Sequence, residues 1–111
     1  MKDAENYRFD GPETLREPVL RALSRVVDPE VAMSIVDVGL VYAVTATAAR
    51  LHVVMTMTSA ACPVADVILD DTLAELDQVV PDGMSVDVEL VWEPAWTTDR
   101  MSASAKAFMD W

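Results

Sequence analysis

A small α/β domain of α+β character is what this chain of 111 residues predicts, and three observations carry the prediction. Apolar residues recur at spacings of three and four over 19–27 and again over 65–80, the mark of helices with one buried face. Runs at 40–47, 51–58 and 84–92 are rich in valine, threonine and aromatic residues and read as strands. The resulting order, α-β-β-α-β-α, fits a three-stranded mixed sheet with helices packed mainly on one face.

Each element has a local reason. Residues 1–13 mix charges and aromatics without a period and read as a flexible N-terminal arm, which leaves the domain proper at 14–111. Thr14 and Glu17 have capping-box spacing, Pro18 falls in an early turn, and Val19, Leu20, Leu23, Val26 and Val27 supply the buried stripe. Asp28-Pro29 stops that helix, because the residue before a proline is pushed out of the α region. Residues 30–34 read as an irregular loop. In the strand at 51–58, Leu51, Val53, Met55 and Met57 share one face, with His52, Val54, Thr56 and Thr58 on the other. The second helix opens at Pro63 and buries Ala65, Ile68, Leu69, Thr72, Leu76, Val79 and Val80. Pro81-Asp82-Gly83 ends it, and in the last strand Val86, Val88, Leu90 and Trp92 alternate with Asp87 and Glu89. The strands on either side of that helix can pair in parallel through a right-handed crossover. Trp92 is expected in the core, with Trp96 and Trp111 holding the C-terminal segment down, and Ser102 caps a short last helix.

Composition narrows the function. Hydrophobic residues make up 52% and glycines number only three, so a packed core is expected rather than disorder. Nineteen acids against eight bases give a net charge of −11, which argues against nucleic acid and against anionic membrane surfaces as partners. The polar first residues lack the apolar segment of a signal peptide, and one cysteine permits no internal disulfide. Both fit a cytoplasmic protein.

That cysteine, Cys62, sits just ahead of Pro63, where the second helix begins. The positive end of a helix favours a thiolate, and such positions lower a thiol from about 8.5 to between roughly 3.5 and 7.5. Thr58 and Ser59 stand four and three residues before it, while Asp28 and Glu30 bracket Pro29 at the first helix's end. Acids, hydroxyls and a thiol could thus meet at one end of the sheet. Each also has an ordinary reading: packed thiol, helix stop, solvated carboxylate, strand end. His52 is too far along its strand to form a Cys–His dyad with Cys62. One cysteine cannot hold a stable zinc or iron–sulfur site alone, so metal held here would be labile or shared with a second chain or partner.

Four segments in register then resemble a known family: Asp28-Pro29-Glu30; Ile35-Val36-Asp37-Val38-Gly39-Leu40-Val41-Tyr42; Thr58-Ser59-Ala60-Ala61-Cys62-Pro63; and Trp92-Glu93-Pro94-Ala95-Trp96 leading to Arg100-Met101-Ser102. The chain is similar to the SufT and PaaD-like metal–sulfur cluster assembly factors from about Leu15 onward. Val31-Ala32-Met33-Ser34 departs from the glycine and asparagine that relatives often carry there, and Ala95 stands where a second proline is common. With no cysteine-rich extension after Trp111, the short SufT-like type is the nearer match. The resemblance implies an iron–sulfur assembly or maturation factor rather than an enzyme, serving client apo-proteins, an oxygenase system among them. Its functional cluster would be Asp28, Glu30, Thr58, Ser59 and Cys62, with Cys62 handling iron, a cluster or sulfur transiently and no tightly bound cofactor. The assembly machinery would be its partner, and a homodimer would pair two thiols. A thiol enzyme with Cys62 as nucleophile and a non-catalytic adaptor are the alternatives.

Overall fold

A computed structural model describes residues 7–29, 32–58 and 64–109. Its elements, in chain order, are strand β1 (Arg8–Asp10), helix α1 (Glu13–Ser24), strands β2 (Val27–Asp28) and β3 (Met33–Ser34), and the four-residue helix α2 (Ile35–Val38). Strands β4 (Val41–Ala46) and β5 (Arg50–Met55), helix α3 (Val64–Asp77), strand β6 (Ser85–Leu90) and helix α4 (Ala103–Met109) follow. The α/β architecture is the expected one, with one strand more in the main sheet, whose order is β1-β4-β5-β6.

β4 and β5 form the antiparallel hairpin, and β5 pairs with β6 in parallel across α3. The added strand comes from the segment read as a flexible arm: Arg8–Asp10 pairs in parallel with β4, and Tyr7 before it is buried. The expected capping box is also absent. α1 starts one residue ahead of Thr14, with Pro12 as its N-cap and no side-chain cap, while Arg16 bonds Glu13 at 2.7 Å.

Alternation on the strands places the core. Leu51, Val53 and Met55 are fully buried, as are Val41 and Val44 on β4, and they meet Val19 and Leu23 of α1 and Ile68 and Leu76 of α3. Thr72 lies inside this layer because its hydroxyl donates to the Ile68 carbonyl at 2.7 Å within the helix. The opposite sheet face carries Thr45, His52, Val54, Asp87 and Glu89 and is partly open to solvent. Among the described residues no helix is long and apolar enough to cross a membrane.

Candidate functional site

Two segments reach the sheet end from which the Thr58–Pro63 motif departs. The first is the short hairpin β2–β3, in which Val27 faces Ser34 and Asp28 faces Met33. It carries Asp28, 1% exposed and not without a partner, and lies against α3, the helix that follows the cysteine motif. Between its strands, Ala32 donates its N–H to the Asp28 carbonyl at 2.8 Å and adopts φ 59, the left-handed region. A Cβ makes that conformation unfavourable by roughly 1–2 kcal/mol.

The second segment is the exit of β5. Met57 is buried and Thr58 half-buried, while Thr56, expected on the solvent side, is only 1% exposed. The pairing runs on past Met55, the last residue of β5: the Thr56 N–H bonds the Leu40 carbonyl at 2.8 Å, one step beyond the Val41–Met55 pair, and holds Thr56 in the covered end of the sheet. The Thr56 hydroxyl finds no partner among the described residues. An unsatisfied buried hydroxyl costs about 1–3 kcal/mol. Of the five candidate residues, Asp28 and Thr58 are therefore placed, whereas Glu30, Ser59 and Cys62 lie outside the described residues. Among the described residues no group of three or more histidine, cysteine or acidic side chains could hold a metal ion.

His52 is occupied elsewhere. It sits on the open sheet face with Nδ1 2.6 Å from Asp87 Oδ2 and Nε2 3.1 Å from Glu89 Oε1. Arg50 reaches the same Asp87 oxygen at 2.6 Å. The Arg50 guanidinium first, and His52 second, hold the Asp87 carboxyl below the ordinary aspartate range. A shallow cavity of about 240 Å³, lined by Thr45, Thr47, Arg50 and His52, opens beside this network. It lies toward the start of β5, whereas the cysteine motif leaves from that strand's other end, so the cavity is not part of the candidate site.

The remaining two motifs turn out to be halves of one lock. Ser102 donates its N–H to the Asp37 carbonyl at 2.8 Å and its hydroxyl to Asp37 Oδ1 at 3.0 Å. Trp96 Nε1 donates to the Val38 carbonyl at 2.8 Å, and Arg100 reaches the Val41 carbonyl at 3.1 Å while lying 4.3 Å over the Tyr42 ring. Tyr42 donates to the Pro94 carbonyl at 2.6 Å, next to a cis Glu93–Pro94 bond. Gly39 ends α2 at φ 85, and a Cβ there would overlap the Arg100 carbonyl. From sequence, Trp96 is expected to hold the C-terminal segment down and Ser102 to cap the last helix, as its hydroxyl does by accepting the Ala105 N–H at 3.1 Å, whereas the bonds between the two motifs carry no local signal. Trp96 packs against the core as expected, Trp111 lies outside the described residues, and Trp92, expected in the core, is 47% exposed. The backbone leaves β6 at Leu90, so Trp92 no longer follows the alternation that would have turned it inward.

Comparison with known proteins places this geometry. The family model for iron–sulfur cluster assembly proteins matches residues 16–90. The chain is 43% identical over 95 residues to the Fe-S protein maturation auxiliary factor YitW of Bacillus subtilis, covering 85% of this chain and 92% of that protein. It is 40% identical over 82 residues to the Fe-S protein maturation auxiliary factor SufT of Staphylococcus aureus, covering 73% and 92%. Among solved structures, a domain of unknown function from Bacillus anthracis aligns with TM-score 0.80 and 38% identity over 88% of this chain and 93% of that one. A conserved hypothetical protein from Thermotoga maritima aligns with TM-score 0.72 and 36% identity, over 85% and 92%. This chain accordingly belongs to the iron–sulfur cluster assembly protein family, with the SufT and PaaD-like proteins.

Proposed function

We propose that this protein matures iron–sulfur proteins, and that its working group is the Cys62 thiolate on the loop between β5 and α3. The observation that carries this reading is where the fold departs from its own rules. A buried carboxylate at Asp28 and a left-handed alanine at Ala32 lie on the hairpin beside α3, and a hydroxyl with no partner among the described residues, that of Thr56, lies on the exit of β5. Such costs persist where function holds them in place.

In this reading Cys62 takes one coordination position on an iron ion or cluster, which is cargo and not a resident cofactor. The cargo leaves when a client thiolate replaces the Cys62 sulfur; no electron changes hands. Asp28 and Glu30 supply negative charge or oxygen ligands, and Thr58 and Ser59 supply hydroxyl donors to the sulfur. A single thiol keeps the hold weak, which suits delivery. The thiol-enzyme alternative is less well supported, since the one imidazole, His52, is bonded to Asp87 and Glu89 on the open sheet face. Clients, including any oxygenase system, and the assembly machinery would meet the loop end of the sheet.

Anaerobic iron–sulfide reconstitution of wild type and Cys62→Ser, followed by transfer to an apo-ferredoxin, tests the reading. Cysteine-dependent loading and transfer are expected. Equal loading and transfer by the serine variant would remove Cys62 from the mechanism.

A further inference from the structure

The two edges of the main sheet are finished differently. β1 closes one edge with three residues, whereas β6 forms the other with six. Ser85 and Val91 direct their N–H groups at the Ala49 and Met55 carbonyls. In a parallel ladder alternate residues bond the same neighbour. The N–H and C=O groups of Val86, Val88 and Leu90 therefore face outward, and among the described residues none of them has a backbone partner across that edge. An open edge of this length is a template for another strand.

Its side chains say which strand. Val86, Val88 and Leu90 lie half-buried on the core side, and the half-exposed Trp92 stands just past their C-terminal end. Asp87 and Glu89 lie on the other face, where Arg50 offsets only one of the two carboxylates. A second copy of this chain is a poor occupant in the two registers that overlap the strands most fully. Residues facing each other across an antiparallel pair must share a sheet face, so a two-fold axis through Val88 sets Asp87 against Glu89. An axis through Asp87 sets it against itself, and like charges directly opposite are destabilising. The overall charge of −11 adds to that repulsion.

We infer that the β6 edge is a docking site for an extended segment of a partner protein in which apolar and basic residues alternate. The apolar positions cover Val86, Val88, Leu90 and Trp92, and the lysines or arginines lie beside Asp87 and Glu89. Backbone hydrogen bonds hold the strand, and the alternating side chains select it. This inference is independent of the chemistry assigned to Cys62.

The probe is a short synthetic peptide alternating valine and lysine, with its valine–glutamate counterpart as control, titrated into the isotope-labelled protein. The lysine peptide should bind and give the amides of Val86, Val88 and Leu90 new protection from hydrogen exchange. Glu89→Lys should weaken that binding about tenfold and favour the glutamate peptide instead. Val88→Pro deletes one outward N–H without touching the bonds to β5 and should weaken binding similarly; if it fails to fold, Glu89→Lys alone decides. Equal binding of both peptides by wild type, or protection mapped away from β6, would overturn the proposal. So would edge protection that rises with protein concentration alone, which would assign the edge to a second copy. Both variants should still load and transfer cluster through Cys62, so the two proposals fail separately.

Discussion

Two residues at opposite ends of one short segment adopt the left-handed backbone conformation, and the chain treats them in opposite ways. Gly39, at φ 85, is glycine for two reasons at once: the conformation, and the Arg100 carbonyl that fills the space a Cβ would need. Ala32, at φ 59, bears a Cβ in a conformation that disfavours one. The first turn is optimised to lock the C-terminal strap, residues 94–102, onto α2 and β4. The second carries strain beside a buried aspartate. Stability was spent where the candidate chemistry lies and conserved where the fold closes.

The contrast can be broken most severely at Gly39. Gly39→Ala combines left-handed strain with overpacking against the strap and should destabilise by roughly 2–5 kcal/mol. Urea unfolding should show it as a lower midpoint at unchanged slope; a shift of only a few tenths would mean the strap moves aside freely. Trp96→Phe keeps an aromatic but removes the Nε1 donor to the Val38 carbonyl. A loss of about 1–2 kcal/mol is expected in the same measurement. Ala32→Gly should act in the reverse direction, gaining roughly 0.5–1 kcal/mol once the glycine's own entropy is counted. Unchanged or lowered stability would show that the hairpin backbone is not strained.

The smallest effect belongs to a site remote from both turns. Arg50→Gln should raise the Asp87 pKa toward the ordinary aspartate value, read by carboxyl NMR titration, because Arg50 is the first cause of its depression. A folded-state pKa below the unfolded one contributes stability above the unfolded value, lost as pH falls through the folded one. The deficit of the variant should therefore be present at neutral pH and shrink on acidification as Asp87 protonates in both proteins. A deficit that stays constant into acid would trace the loss to the arginine's packing instead.

What the sequence made legible follows the range of the interactions involved. β5 and α3 were readable because their period is local: Leu51, Val53 and Met55 alternate, and Ala65, Ile68, Thr72 and Leu76 recur by helical turns. β1 was not, since three residues hold no alternation and its strand character comes from pairing with Ala43, Val44 and Thr45. The two-residue strands β2 and β3 were invisible for the same reason. At the candidate site, Asp28 and Thr58 are singled out by motif alone, and burial of Asp28 and of the neighbouring Thr56 hydroxyl depends on packing that no local pattern encodes. The lock is the sharpest case. Asp37 and Ser102 were both quoted, but a contact 65 residues apart is silent until the chain is folded.

That separation also sets an order on synthesis. The match to the family model ends at residue 90, whereas the groups that close the α2–β4 junction follow it, with Arg100 bonding Gly39 across 61 residues. At about 5–20 residues per second the junction would wait roughly 3–12 s between emergence of Gly39 and arrival of Arg100. During that interval the carbonyls of Val38 and Val41 have only water to bond. A nascent chain halted before Trp96 should therefore yield to protease at the α2–β4 junction, and extension through Ser102 should close it.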